Sequence, residues 1–205
     1  MSASIAKAPW PLARSAQAAV AAAAVVDVYR VVTMRAYHLH PQDTSSSAYA
    51  TASTVSVYTM TAAVVLFLVW FARCRRNAQL LSPTPLPGTM PWAVASWLVP
   101  VVNLWVPRGL VLDVHGASGP GAVKGRDRVL VNVWWAAWVG RAVVVTAGTG
   151  LGQGTSLALL LAGETLNLSA GALAVAVIQR VTARQATALE TAVAVPGAAD
   201  LPRPS

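Results

Sequence analysis

The sequence predicts an all-α integral membrane protein, a bundle of four transmembrane helices joined by a proline-broken, tryptophan-rich segment. Four apolar stretches, at residues 12–33, 53–71, 129–150 and 155–181, approach or exceed the roughly 20 residues that a helix needs to cross a bilayer. The chain is 56% hydrophobic and only 11% charged, far below the charge of a soluble domain. Because lipid offers no hydrogen bonds to the backbone, apolar runs of this length must be helical.

The first span is rich in alanine and carries two charged residues, Asp27 and Arg30. Lys7 and Arg14 precede the alanine run, which is the pattern of a signal peptide. The run continues without an obvious cleavage site, so we expect an uncleaved span. Residues 1–11 then form a cytoplasmic N-terminus, and residues 12–185 form one transmembrane domain.

The segment between the second and third spans, residues 91–113, reads PWAVASWLVPVVNLWVPRGLVLD. It is long enough for a fifth span, but prolines remove backbone donors and interrupt helices, and tryptophan favours the headgroup level. A re-entrant hairpin or an interfacial helix pair fits equally well. We expect the centre of this segment to be formed by Trp97, Pro100, Asn103, Trp105 and Pro107.

The distribution of basic residues favours four spans over five. With the segment not crossing and the N-terminus inside, twelve of the fifteen Lys and Arg residues lie on the cytoplasmic side, as the positive-inside bias requires. These are Lys7, Arg14, Arg73, Arg75, Arg76, Arg108, Lys124, Arg126, Arg128, Arg180, Arg184 and Arg203. Both termini are therefore predicted to be cytoplasmic, and residues 186–205, rich in Ala and Pro, are predicted to be a disordered tail.

Ionisable groups within membrane spans are costly and often mark function. Asp27, Arg141 and Glu164 are such groups. Arg141 and Glu164 lie about 13 Å from the same boundary by helix rise, which predicts an ion pair between them. Asp27 would join this cluster or pair with Arg30 on its own helix. The cluster is either a structural device or a proton or ion relay.

Trp134, Trp135 and Trp138 lie in the third span. We interpret them as an aromatic belt at the membrane interface, with a ligand cage as the alternative. In the fourth span, Gly163, Asn167 and Gly171 recur every four residues, a spacing of small and polar residues that favours close helix packing.

The sequence gives no support for a catalytic residue, a metal site or a cofactor. His38 and His40 share a polar loop with Asp43, and this spacing is a weak metal signal. The net charge of +8 follows from the basic residues flanking the spans, so we expect no nucleic-acid partner.

Three blocks resemble the bacterial domain of unknown function 4328 family of multi-pass membrane proteins. The first is FLVWFARCRRNA at 67–78, and the second is the Pro-x-x-Asn-x-x-x-Pro pattern with its tryptophans at 91–107. The third is WWAAW at 134–138, with Asp113 and Ser118 also at matching places. The chain departs from the pattern at Arg108-Gly109, where the family carries an aromatic residue. The resemblance covers roughly residues 53–181 and implies the membrane architecture while leaving the activity open.

Together these features predict a non-catalytic component of the bacterial inner membrane that binds a protein partner or lipid through the broken segment. Arg73, Arg75 and Arg76 are expected to contact lipid headgroups, and the expected partners are membrane lipids, a membrane protein or further copies of the chain. The alternative is a small transporter or channel-like protein that uses Asp27, Arg141 and Glu164. An enzyme is not expected, because no nucleophile lies in a pattern with a base.

Overall fold

The computed structural model describes residues 7–40, 42, 45–119, 123–152 and 156–194. Within these residues the chain forms only helices: α1 (Trp10–Leu39), α2 (Ser46–Leu81), α3 (Met90–Ala95), a short 3₁₀ turn (Val102–Leu104), α4 (Val106–Ala117), α5 (Gly125–Gly150) and α6 (Leu157–Ala194). Four of them, α1, α2, α5 and α6, are long and apolar enough to cross a membrane. The predicted all-α membrane bundle is confirmed.

The four long helices form an arc in the order α2, α1, α6, α5. Helix α1 packs along both α2 and α6, and α6 packs along α5. The broken segment occupies the space between α2 and α5, with α3 and α4 against α2 and α4 against α5. The sequence neighbours α2 and α5 are therefore the two ends of the arc, and the segment that connects them also fills the gap between them.

The broken segment enters and leaves the bundle at the same end. On the way in, the Arg75 side chain near the end of α2 donates to the carbonyls of Pro87 and Gly88. On the way out, His115 Nε2 lies 3.3 Å from Asp127 Oδ2, at the start of α5. Between these points the chain turns back, so it is not a fifth span.

The turn of this hairpin lies beside the first half of α5. Trp135 Nε1 donates to the Leu104 carbonyl at 2.9 Å, and Trp135 is ten residues beyond the start of α5, or about 15 Å along its axis. Arg108 Nε donates to Asn132 Oδ1 at 2.8 Å, about one helical turn nearer the start of α5. The segment is therefore a hairpin of two short helices that lies between α2 and α5.

The prolines of the segment begin helices rather than interrupt them. Pro91 and Pro107 lie in the first turns of α3 and α4, where the missing N–H would have had no partner within the helix. Pro100 lies in the exposed turn between them. The break in the segment is thus a loop between two short helices.

Helix α6 extends further than the sequence indicates. Residues 186–194, which we predicted to be disordered, continue the helix to Ala194, and Ala188 is buried. The run ATALETAVA consists largely of good helix formers, and its apolar face is in phase with the buried stripe of α6. Residues 195–205 lie outside the described part of the chain.

Candidate functional site

The Asp27 carboxylate is the point at which all four long helices meet. It is 3% exposed and accepts from Arg30 of α1 at 2.6 Å, Ser56 of α2 at 3.3 Å, Arg141 of α5 at 2.5 Å and Asn167 of α6 at 3.4 Å. A buried carboxylate is tolerated only when it is paired and hydrogen-bonded. This one has a donor from every wall of the bundle.

The predicted ion pair between Arg141 and Glu164 is wrong. Arg141 Nη2 pairs with Asp27 Oδ2, and Glu164 instead accepts a hydrogen bond from Asn167 Nδ2 at 3.2 Å. Arg141 and Glu164 do lie on neighbouring helices, since α5 packs along α6. Arg141 turns toward Asp27 because Asp27 is nearly fully buried, whereas Glu164 is only partly buried. An unpaired charge is most costly where water is excluded, so the buried carboxylate is the one that needs the arginine.

The tryptophans of the segment and of α5 form one aromatic cluster. Trp97 lies between α2 and α5, with ring centroids 4.9 Å from Phe67 and 6.0 Å from Trp135. Trp134 is 5.5 Å from Trp135, and Trp138 is 5.1 Å from it. Trp134 and Trp135 are buried, so this group faces the interior of the bundle, not its outer surface as an aromatic belt would. The alternative interpretation, a cage, describes their arrangement better.

A cavity of about 220 Å³ lies beside this cluster. It is lined by all four long helices and by Trp97 and Asn103 of the broken segment. The aromatic wall comes from Trp97, Trp134, Trp135 and Trp138, and small residues such as Ala63 and Gly171 supply the space. The cavity therefore exists because bulky side chains face alanine and glycine across the arc.

Three buried polar atoms on residues that line the cavity have no hydrogen-bond partner among the described residues: Trp97 Nε1, Asn103 Oδ1 and Arg141 Nε. Buried polar atoms are normally paired, and an exception needs an explanation. The sequence left open whether Asn103 binds something or only satisfies the broken backbone. Its unpaired Oδ1 does not satisfy the backbone.

The arginines at the end of α2 differ in their surroundings. Arg73 and Arg76 are exposed, as contact with headgroups requires. Arg75 is fully buried and binds the carbonyls of Pro87 and Gly88, so its predicted headgroup contact is wrong. Three arginines within four helical residues cannot all share one face, and the middle one points into the bundle.

The remaining tryptophan and prolines of the segment have different environments. Trp105 is 58% exposed and, with Pro100, lies on the outer side of the hairpin turn. Pro107 is buried at the start of α4. Of the five residues expected at the centre of the segment, Trp97 and Asn103 reach the cavity, and Trp105, Pro100 and Pro107 do not line it.

A buried polar network at the end of the bundle near the segment was not recognised in the sequence. Gln185 Nε2 donates to the Cys74 carbonyl at 2.7 Å and lies 3.0 Å from Ser118 Oγ. Trp70 Nε1 donates to Thr182 Oγ1 at 3.0 Å. Thr182 and Gln185 continue the three- to four-residue spacing of the buried apolar residues of α6. That spacing is the feature of the sequence that could have indicated their burial.

His115 lies in this region and is 2% exposed. Burial lowers the pKa of its imidazole below 6.5, an effect that Asp127 opposes and that Arg184 and Arg180 reinforce. The ring is therefore neutral at physiological pH, and it holds α4 to α5 as a hydrogen-bonding group.

Comparison with curated proteins and with solved structures gave no match. The family model named "Domain of unknown function (DUF4328)" matches residues 34–194. This range covers α2, the broken segment, α5 and α6, and it includes the aromatic cluster, whereas nearly all of α1 lies outside it. The match extends over well more than half of the chain, and the protein belongs to the DUF4328 family.

Proposed function

We propose that this protein is a non-catalytic, multi-pass component of the bacterial inner membrane, with both termini in the cytoplasm, that binds membrane lipid through its broken segment. The observation that carries the proposal is the contrast within the hairpin turn. Leu98 and Val101 are 65% and 63% exposed, while the adjacent Trp97 is locked between α2 and α5. An exposed apolar turn held on a rigid anchor is suited to contact with acyl chains.

The charges near the base of the segment favour lipid over a protein partner. Arg73 and Arg76 are exposed at the end of α2, close to the point where the segment enters the bundle. Each basic residue near an anionic membrane surface contributes about 1 kcal/mol of attraction. An apolar turn with arginines at its base matches a lipid, which has chains below and a phosphate above.

The alternative, a transporter or channel-like protein, uses Asp27, Arg141 and Glu164. Its support is the unusual convergence of ionisable and polar groups within the bundle. Against it, Asp27 already pairs with both Arg30 and Arg141, and such a carboxylate is a poor proton carrier. Glu164, which lacks an ion pair among the described residues, is the residue on which this alternative depends.

Native mass spectrometry of protein extracted gently from its membrane tests lipid binding. The informative variant is Leu98→Gln in the turn, and Leu161→Gln on α6 is its matched control because Leu161 is 60% exposed. We expect a lipid adduct in the wild type and the control that is depleted in Leu98→Gln and in the Arg73→Gln/Arg76→Gln double variant. A protein adduct with the same dependence would favour the partner, and equal adducts in all four proteins would reject the segment as the site.

A further inference from the structure

We infer that the cavity inside the arc is a binding site for a single apolar chain with a hydrogen-bonding head, which enters sideways from the bilayer between α2 and α5. This inference rests on the proposed lipid binding and deepens it, since it assigns a second, internal site and a class of ligand. The exposed turn of the segment contacts the bilayer, whereas the cavity would hold one molecule.

The lining of the cavity matches an acyl chain. Its walls are mainly indole rings and aliphatic side chains, and its volume of about 220 Å³ exceeds the roughly 150 Å³ of an apolar cavity that admits benzene. A chain that fills the apolar part of the cavity regains the dispersion contacts that its lining atoms lack.

Three residues that line the cavity carry buried polar atoms without partners in the described part of the chain, and these provide the basis for a head group. Asn103 Oδ1 accepts, whereas Trp97 Nε1 and Arg141 Nε donate, and all three are buried without partners among the described residues. Each of these atoms has almost no accessible surface, so a ligand reaches it only after the side chain turns. A small rotation of the Asn103 amide would bring Oδ1 to the cavity, where the hydroxyl or carboxyl group of a ligand would donate to it. Leaving a buried polar group unpaired is costly, which explains why such a ligand would be favoured over a plain hydrocarbon.

The arc provides the entrance. Helices α2 and α5 form its two ends, and the segment fills the gap between them as far as its turn, where Leu104 meets Trp135. Met60 and Val64 of α2 line the cavity and are each 39% exposed. The cavity therefore borders the lipid-facing surface along α2, beyond the turn of the hairpin.

The test is tryptophan quenching by a fatty acid brominated near the end of its chain, added to the full-length protein in nanodiscs of unbrominated phosphatidylcholine. Bromine quenches only at short range, so a bound chain gives a saturable component from the four cavity tryptophans. Lipid-facing tryptophans such as Trp105 contribute a component that rises without saturation. We expect the saturable component in the wild type, reversed by the unbrominated fatty acid and less well by an alkane of equal length.

Two neighbouring alanines supply the matched variants. Ala63 lines the cavity and is 4% exposed, and Ala62 faces outward on the same helix. Ala63→Phe should abolish the saturable quenching, and Ala62→Phe should retain it. Asn103→Leu should weaken the apparent affinity about 3- to 10-fold, as the loss of one hydrogen bond does, and it covers the case in which Ala63→Phe does not fold.

Quenching that never saturates in the wild type, or saturable quenching that Ala63→Phe and Asn103→Leu both leave unchanged, would overturn the inference. Leu98→Gln separates the two proposals, because Leu98 does not line the cavity. If that variant loses the lipid adduct while the wild type shows no saturable quenching, the segment binds lipid and the cavity does not. If neither effect is seen, both proposals fail.

Discussion

Arg141 of α5 and Asp27 of α1 form an ion pair in the interior of the bundle, with Nη2 2.5 Å from Oδ2. These helices stand at different positions in the arc, with α6 between them. The pair therefore acts across the concave side of the arc, where Arg141 also lines the cavity. The pair links α5, at one end of the arc, to α1 in its middle.

Removal of the Asp27 charge should be strongly destabilising. Asp27→Asn leaves Arg30 and Arg141 without their counter-ion, and breaking a buried pair from one side costs about 3–5 kcal/mol. Unfolding of the detergent-solubilised protein, followed by tryptophan fluorescence, measures the loss. The double variant Asp27→Asn/Arg141→Leu should recover part of it, and no recovery would contradict the pairing.

Glu164→Gln should change the free energy of unfolding by no more than about 0.5 kcal/mol, as for a surface change, because Asn167 can still donate to the glutamine oxygen. The same variant tests the transporter alternative in proteoliposomes. Loss of a measurable ion flux in a stably folded Glu164→Gln protein would establish that alternative. Equal behaviour of variant and wild type would leave Glu164 as a structural residue.

Arg75→Gln should destabilise the fold, whereas Arg76→Gln should not. Arg75 is buried and donates to two carbonyls that hold the start of the segment, and hydrogen bonds to charged groups contribute about 1.5–3 kcal/mol. Arg76 is exposed, and its replacement should change stability by about 0.5 kcal/mol or less. Equal losses in the two variants would show that Arg75 does not anchor the segment.

Trp97→Ala should detach the segment from the bundle. The side chain is partly buried and contacts rings of both α2 and α5. Its truncation should cost about 3 kcal/mol, the lower end of the range for a large aromatic residue in a core. Trp105→Ala, at a 58% exposed tryptophan of the same segment, serves as the control with a change near zero. Protease cleavage between residues 82 and 118 should increase only in Trp97→Ala.

The stability of the protein should decrease as the pH falls below about 6.5. Burial holds the pKa of His115 below 6.5 in the folded state, so between the two values the unfolded chain binds more protons. The loss begins near 6.5 and levels off below the folded pKa. His115→Gln should flatten this part of the pH profile of unfolding, and an unchanged profile would assign it to another group.

The topology is open to direct labelling. Lys124 begins the connection into α5, and with both termini inside it lies in the cytoplasm. A membrane-impermeant amine reagent should therefore leave Lys124 unmodified in intact cells and modify it after permeabilisation. Modification in intact cells would invert the proposed orientation.

The four spans could be predicted because bilayer thickness sets the length of an apolar helix, and this requirement is visible in a single run of residues. The direction in which a side chain points cannot be predicted in the same way. Arg141 and Glu164 are at similar depths, but depth does not tell which neighbour an arginine faces. The partner was Asp27, which is distant in the chain, and the choice depends on the arc order that the sequence does not display.

The broken segment shows the same limit. Prolines and tryptophans marked it as irregular and argued against a simple crossing, yet they fit a hairpin and an interfacial pair equally well. The contacts that hold the hairpin in place, Trp135 to Leu104 and Arg108 to Asn132, join parts of the chain more than twenty residues apart. Arg75 was likewise placed among headgroups because its two arginine neighbours do belong at the surface.

The position of the segment at the open side of the arc also constrains the order of assembly. Trp97 needs Phe67 on one side and Trp135 on the other, and Trp135 is synthesised last of the three. The hairpin therefore cannot complete its docking as it leaves the ribosome, because it must wait until α5 has been synthesised. Docking of the segment is then a late step of biogenesis, and Phe67 and Trp97 lack their aromatic partners on α5 until it happens.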